Sequence, residues 1–275
     1  MRPRSPRSDA RPPAPGKALR RRRWQQIREQ RGRGVFLLPA LLTIANLFCG
    51  FYALLLTVDH RYVEASLAVF VAMVMDMLDG RVARLMKATS QFGVEFDSLA
   101  DVVSFGVAPA FILYSFALVA LPRAAWFGAA LFAICGALRL ARFNVQTGTA
   151  DKRFFVGLPI PAAAGAAVST VIALQGVELT RWLQGGIAVG MYVLALLMVS
   201  TFRYWSFKEI DFARRRPLET LLVLVLGGMI VATNHEVFLF VLFVGYAVSG
   251  PAYRAWSGRA PAAVTPALES PRESH

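Results

Sequence analysis

Cysteine and histidine are nearly missing from this sequence. Cys49 and Cys135 each sit alone in an apolar run, and His60, His235 and His275 lie far apart. Two isolated thiols exclude a disulfide framework and a thiolate metal site, and the scattered imidazoles offer no ligand spacing. Acidic side chains are scarce too, 17 against 30 Arg and Lys in 275 residues. What fills the space is apolar: 56% of the residues are hydrophobic and the mean hydropathy is +0.49. Such a chain is too oily for a soluble domain and reads as an all-α polytopic membrane protein.

The formal net charge of +13 does not point to nucleic acid, because most of it is concentrated at one end. Residues 1–34 hold twelve Arg and Lys against Asp9 and Glu29. This Arg- and Pro-rich segment is expected to be a disordered cytoplasmic tail lying against anionic headgroups, and its one aromatic residue, Trp24, makes no interleaved pattern that would read bases. Over thirty polar residues precede the first apolar stretch, so that stretch is expected to be a retained helix and not a signal peptide.

Apolar runs of bilayer-crossing length fall at 35–58, 62–79, 98–121, 125–146, 158–177, 185–202, 217–233 and 236–252. Eight spans with both termini cytoplasmic leave only Arg61, Arg123 and Arg181 of the 30 basic residues outside, as the positive-inside rule requires. The expected organisation is a tail over 1–34, a membrane domain over 35–252 and a second, Pro-, Ala- and Ser-rich tail over 253–275. No internal repeat is evident, which removes one mark of many secondary transporters.

Against this background, "DMLDGRVARLMKATSQFGVEFDSLAD" (76–101) places four aspartates at a membrane boundary. At about 100° per residue, Asp76, Asp79, Gly80, Ala83 and Arg84 form one helical stripe, and Gly93, Asp97, Asp101 and Ser104 form another. Two helices joined by a polar turn around "KATSQFG" then bring four carboxylates together. Ionised carboxylates that close repel one another unless a cation lies between them. An oxygen-only donor set suits Mg²⁺ or Mn²⁺, with carboxylates enough for two ions. Gly80 and Ala83 leave room for a bulky ligand on the same stripe, and Arg84 can pair with its phosphates. The competing reading is that these acids are solvated helix-end residues and that Arg81, Arg84 and Lys87 are positive-inside charges. For the set as a whole, intramembrane carboxylates favour function.

The spacing Asp76-x2-Asp79-Gly80-x2-Ala83-Arg84-x8-Gly93-x3-Asp97-x3-Asp101 resembles the motif of the CDP-alcohol phosphotransferase family, with every fixed position filled. "LLTIANLFCGF" (41–51), "SFGVAPA" (104–110), "ALRLARFN" (137–144), "GLPIPAAA" (157–164) and "STFRYWSFK" (200–208) further resemble the integral-membrane phosphatidylserine synthases. The resemblance implies CDP-diacylglycerol and L-serine as substrates, with CMP and phosphatidylserine as products. It also implies two divalent ions: Asp76 and Asp97 on both, Asp79 on the first, Asp101 on the second and acting as general base. Gly80, Ala83 and Arg84 are then expected on the CDP part of the lipid. Membrane lipids are the surroundings, a homodimer is compatible with the family, and the expected location is a bacterial inner membrane with the site at its cytoplasmic face. Two positions depart from the family pattern, Ala40 where relatives commonly have Asn and Ile160 where they often have Ser.

Recognition of the serine carboxylate needs a cation near the metals. Arg139 and Arg142 lie on one face at the cytoplasmic end of the fourth span and are the candidates, with Lys208 after the sixth. Boundary anchoring by snorkelling explains the two arginines equally well. Ser104 either faces the site or makes a local hydrogen bond. A sister transferase with glycerol phosphate, inositol or inositol phosphate as acceptor, a divalent-cation transporter and an inactive scaffold remain the other readings.

Overall fold

The computed structural model describes residues 38–86, 90–121, 123–146, 154–205 and 217–257. Within them lie seven helices: α1 (Leu38–Val58), α2 (Tyr62–Leu85), α3 (Gln91–Leu118), α4 (Ala124–Gln146), α5 (Ile160–Ala173), α6 (Arg181–Val199) and α7 (Pro217–Ser257). Five stretches are long and apolar enough to cross a membrane, in α1, α3, α4, α6 and Glu236–Trp256 of α7. The helical membrane architecture read from composition is present. The tail over 1–34, Lys87, Lys208 and positions 258–275 lie outside the described residues.

Three boundaries differ from the hydropathy reading in ways that shape the molecule. The second helix does not stop at residue 79 but runs to Leu85, because Arg-Val-Ala-Arg-Leu after Gly80 contains nothing that breaks a helix. The third begins at Gln91, ahead of the expected residue 98. Ser90 is its N-cap, its Oγ accepting the Gly93 N–H at 3.0 Å. Both halves of the aspartate motif are therefore helical. The runs 217–233 and 236–252, expected as separate spans, form the single helix α7, which passes through Thr233 to Glu236 without a turn and enters the region expected as a tail. Hydropathy marks the polar interruption there, but no Pro or Gly stops helical hydrogen bonding at those four positions.

One short ribbon was not expected. β1 (Phe154–Val156) pairs antiparallel with β2 (Arg203–Trp205), Phe155 opposite Tyr204. Aromatic and β-branched residues favour an extended backbone, and the chain leaving α4 lies beside the chain leaving α6. Gly157 follows β1 at φ +82, with its N–H on the Phe202 carbonyl at 2.8 Å. The left-handed backbone there favours glycine. Tyr204 is buried and donates its hydroxyl to the Ala247 carbonyl at 3.0 Å, fastening the ribbon to α7. Burial keeps that phenol protonated, well above its ordinary range.

At the centre stands α5, whose Ala163, Ala164, Gly165, Ala166, Ala167 and Val168 are all buried. Small residues let α2, α3 and α7 approach it closely, the usual basis of helix association in lipid. Ile160, a departure from the family pattern, is fully buried where Gly106 of α3 and Gly136 of α4 leave space, so the larger side chain acts as packing.

Two π-helical turns, Val102–Val107 and Tyr114–Leu118, interrupt α3. The first follows Asp101 directly and directs Ser104 toward α1, where its Oγ donates to the Asn46 carbonyl at 3.0 Å. Ser104 thus makes an interhelical bond. A Cβ on Gly50 would lie 2.7 Å from the Ser104 Cα, so α1 and α3 meet backbone to backbone. Gly50→Ala is expected to cost about 1–3 kcal/mol through that overlap and to lower the melting temperature in detergent. Gly245→Ala, where a Cβ meets nothing within 4 Å, is the matched control. Equal melting of the two variants would refute the close contact.

Candidate active site

Helices α2 and α3, consecutive in the chain, present their acids to each other. One carboxylate oxygen from each of Asp76, Asp97 and Asp101 falls within a group spanning no more than 4.8 Å. Asp79, one turn from Asp76, sits beside Asp97 and outside that group of three. Asp79 and Asp101 are buried, with 4% and 8% of their surface exposed. The expected convergence is present, with three acids at its centre and the fourth at its edge.

Helix α1 adds residues that motif reading passed over. Thr43 is buried, and its Oγ1 donates to Asp79 Oδ2 at 3.0 Å, with the Pro39 carbonyl at 3.1 Å as the alternative acceptor. Asn46 Nδ2 donates to Asp101 Oδ1 at 3.1 Å. Thr43, Asn46 and Gly50 are spaced three and seven apart, so one face of α1 serves both acidic helices. Two buried polar residues on one stripe of an apolar helix were the available signal. From α4, Asn144 Nδ2 reaches Ser98 Oγ at 2.9 Å, next to Asp97.

The donor set fits a hard divalent cation. Asp97 Oδ1 is buried with no hydrogen-bond partner. Among the described residues the one ion pair is Arg61–Glu64, at the far end of α2, so no Arg or Lys forms an ion pair with the cluster. Three oxygen donors this close, with neither His nor Cys beside them, suit Mg²⁺ or Mn²⁺.

A cavity of about 300 Å³ opens beside the acids. Asp79, Gly80, Ala83 and Arg84 form its α2 wall, Phe92, Gly93, Phe96 and Asp97 its α3 wall, and Pro39, Ala40 and Thr43 its α1 wall. The stripe read from sequence as a ligand surface is the surface of this cavity, and Ala40 also faces it. A Cβ on Gly80 would meet nothing closer than the Arg84 guanidinium, 3.8 Å away.

The two arginines of α4 part company. Arg139 is turned inward, its Nε buried without a hydrogen-bond partner. Arg142 reaches across to the Val199 carbonyl at the end of α6, at 3.5 Å.

Comparison with known proteins agrees with this geometry. The family model described as CDP-alcohol phosphatidyltransferase matches residues 36–196, which include every acid of the cluster, all three walls of the cavity and both arginines. A CDP-diacylglycerol–serine O-phosphatidyltransferase of Helicobacter pylori (strain J99) is 38% identical over 225 residues, 76% of this chain and 95% of the relative. One of Bacillus subtilis is 37% identical over 172 residues, 62% of this chain and 92% of the relative. An archaetidylserine synthase of Methanothermobacter thermautotrophicus is 38% identical over 169 residues, 61% of this chain and 69% of the relative. With its motif complete, its acids converged between α2 and α3 and more than half of its length matched, the chain belongs to the CDP-alcohol phosphatidyltransferase family.

Proposed function

We propose that this protein transfers the phosphatidyl group of CDP-diacylglycerol to the hydroxyl of L-serine, giving phosphatidylserine and CMP. The observation that carries the reading is the meeting of Asp76, Asp97 and Asp101 beside a cavity walled by Gly80, Ala83 and Arg84. The serine acceptor follows from the activities named for the bacterial relatives.

Asp76 and Asp97 are assigned to both of two Mg²⁺ or Mn²⁺ ions, Asp79 to the first and Asp101 to the second. When bound, the ions supply positive charge against the phosphoryl oxygens and the departing phosphate. Gly80 and Ala83 let the nucleotide approach the α2 backbone, and Arg84 pairs with its phosphates. Arg139 takes the serine carboxylate. Arg142, the other candidate for that carboxylate, instead holds the end of α4 to α6 through Val199. Asp101 accepts the serine hydroxyl proton as the oxygen bonds to the phosphorus bearing the diacylglycerol. The bond from that phosphorus to the CMP oxygen breaks, and CMP leaves with the electron pair.

The site is placed at the cytoplasmic face of a bacterial inner membrane, with eight crossings, both termini cytoplasmic and a homodimer as the assembly. At 1.5 Å per residue, α7 measures about 60 Å, twice the hydrocarbon thickness of about 30 Å. Tyr204 bonds Ala247, so Glu236, eleven residues before Ala247, lies about 16 Å away toward the opposite end of the bundle. Eight crossings require that the helix, continuous over Thr233 to Glu236 in the structure, bend at this polar stretch when it is in the bilayer. Cysteine placed at Asn234, in a Cys49→Ala and Cys135→Ala background, is expected to react with an impermeant maleimide from outside the cell. Reaction only from the cytoplasmic side would refute the eight-crossing topology.

The function is tested by CMP release from CDP-diacylglycerol by the purified protein with Mn²⁺ or Mg²⁺. Release that requires L-serine is the expected result. Release with glycerol phosphate or inositol but not serine would transfer the reading to a sister enzyme, and release with no acceptor would overturn it.

A further inference from the structure

Asn46 is fully buried on α1 and has more hydrogen-bonding capacity than its neighbours use. Its Nδ2 donates to Asp101 Oδ1 at 3.1 Å, and its main-chain carbonyl accepts from Ser104. Its Oδ1 is buried and has no partner. Gly50, one turn further along, lets α1 press against α3 at Ser104. A buried amide oxygen left without a donor is costly. Asp97 Oδ1 is also unpartnered, but a cation accounts for it. The amide oxygen of Asn46, neutral and a weaker cation ligand than the carboxylates beside it, is available to accept an N–H or O–H.

The acceptor amino acid carries such a donor in the right relation to Asp101. In a 2-amino alcohol, nitrogen and oxygen stand on adjacent carbons. A molecule whose hydroxyl is held at Asp101 therefore brings its ammonium group to whatever is bonded to Asp101, and that group is Asn46. Arg139 of α4 is buried too, with an unpartnered Nε.

Resting on the serine-transfer reading above, we propose that Asn46 Oδ1 accepts a hydrogen bond from the ammonium group of the acceptor amino acid while Asp101 holds its hydroxyl. One amide then has two tasks. Its nitrogen fixes the carboxylate that takes the proton, and its oxygen selects an acceptor bearing an amine. A charge-assisted bond from ammonium is stronger than one from a neutral hydroxyl, which favours serine over polyol acceptors.

The test uses the full-length protein in detergent with CDP-diacylglycerol and Mn²⁺. Wild type, Asn46→Ala and Asn46→Ser are compared for the KM of L-serine and for inhibition by 3-hydroxypropionate, which keeps the hydroxyl and carboxylate but lacks the amine. In Asn46→Ala the serine KM is expected to rise about tenfold or more, well beyond any rise in the inhibition constant of 3-hydroxypropionate, with the KM of CDP-diacylglycerol unchanged. Asn46→Ser, whose hydroxyl accepts a hydrogen bond, should recover part of the serine KM, and it carries the test if the alanine variant does not fold. A fall in kcat with the serine KM unchanged, or an equal loss for serine and its amine-free analogue, would reduce Asn46 to a positioning residue for Asp101 and overturn the proposal. Wild-type protein that releases no CMP with serine would instead remove the serine reading itself, and this proposal with it.

Discussion

Asp101→Asn should lower serine-dependent CMP release by about 10²–10⁴-fold, the range expected when a positioned general base is lost. The substitution preserves shape. The Asn46 Nδ2 bond at 3.1 Å survives, because the new side-chain carbonyl accepts it equally well, and the buried position still holds a polar group of the same size. What disappears is the negative charge and the capacity to take a proton. Since Asp101 also belongs to the group of three oxygens, weaker metal binding has to be separated from loss of the base. Saturating Mn²⁺ makes the separation. Asp79→Asn, at the edge of the cluster, is expected to regain part of its rate as Mn²⁺ rises, whereas Asp101→Asn should remain slow. Full recovery of Asp101→Asn at high Mn²⁺ would leave Asp101 a ligand only, and an unaltered rate would remove it from the mechanism.

Chelation is expected to abolish CMP release and, independently, to lower the melting temperature. Asp76, Asp97 and Asp101 are gathered with no Arg or Lys paired to them among the described residues. Without a cation the folded state carries their mutual repulsion. A ligand that binds only the folded form at about a hundred times its Kd adds roughly 2.7 kcal/mol of stability. For a chain of this size that corresponds to a shift of about 5–10 °C. Adding back Mg²⁺ or Mn²⁺ should restore both rate and melting temperature, and Asp97→Asn should flatten the metal dependence of melting. A melting temperature indifferent to chelator and metal would argue that the acids do not form a metal centre. Loss of activity with no thermal response would confine the ion to the substrate complex.

The candidate site residues were legible in the chain because helical spacing is local. Asp76, Asp79, Gly80, Ala83 and Arg84 share a face whatever surrounds them, since 3.6 residues per turn follows from hydrogen bonds between near neighbours. The same periodicity aligned Asp97 with Asp101. A polar turn between two helices then left little choice but to bring the two faces together.

Placement across helices was not legible in that way. Thr43 and Asn46 come to Asp79 and Asp101 from 36 and 55 residues away, and no local periodicity carries information over that separation. Arg139 and Arg142 look alike on a helical wheel, yet packing against α6 draws Arg142 to Val199 and leaves the Arg139 Nε buried. Ser104, beside Asp101 on the face that meets α1, donates its hydroxyl to the Asn46 carbonyl, a partner 58 residues away. The sequence by itself determined the helical faces, the acids and their spacing, since these arise from bonds between near neighbours. Which acid stands apart, which arginine turns inward and which amide touches Asp101 were decided only in the tertiary structure, where side-chain packing between distant helices sets what each face meets.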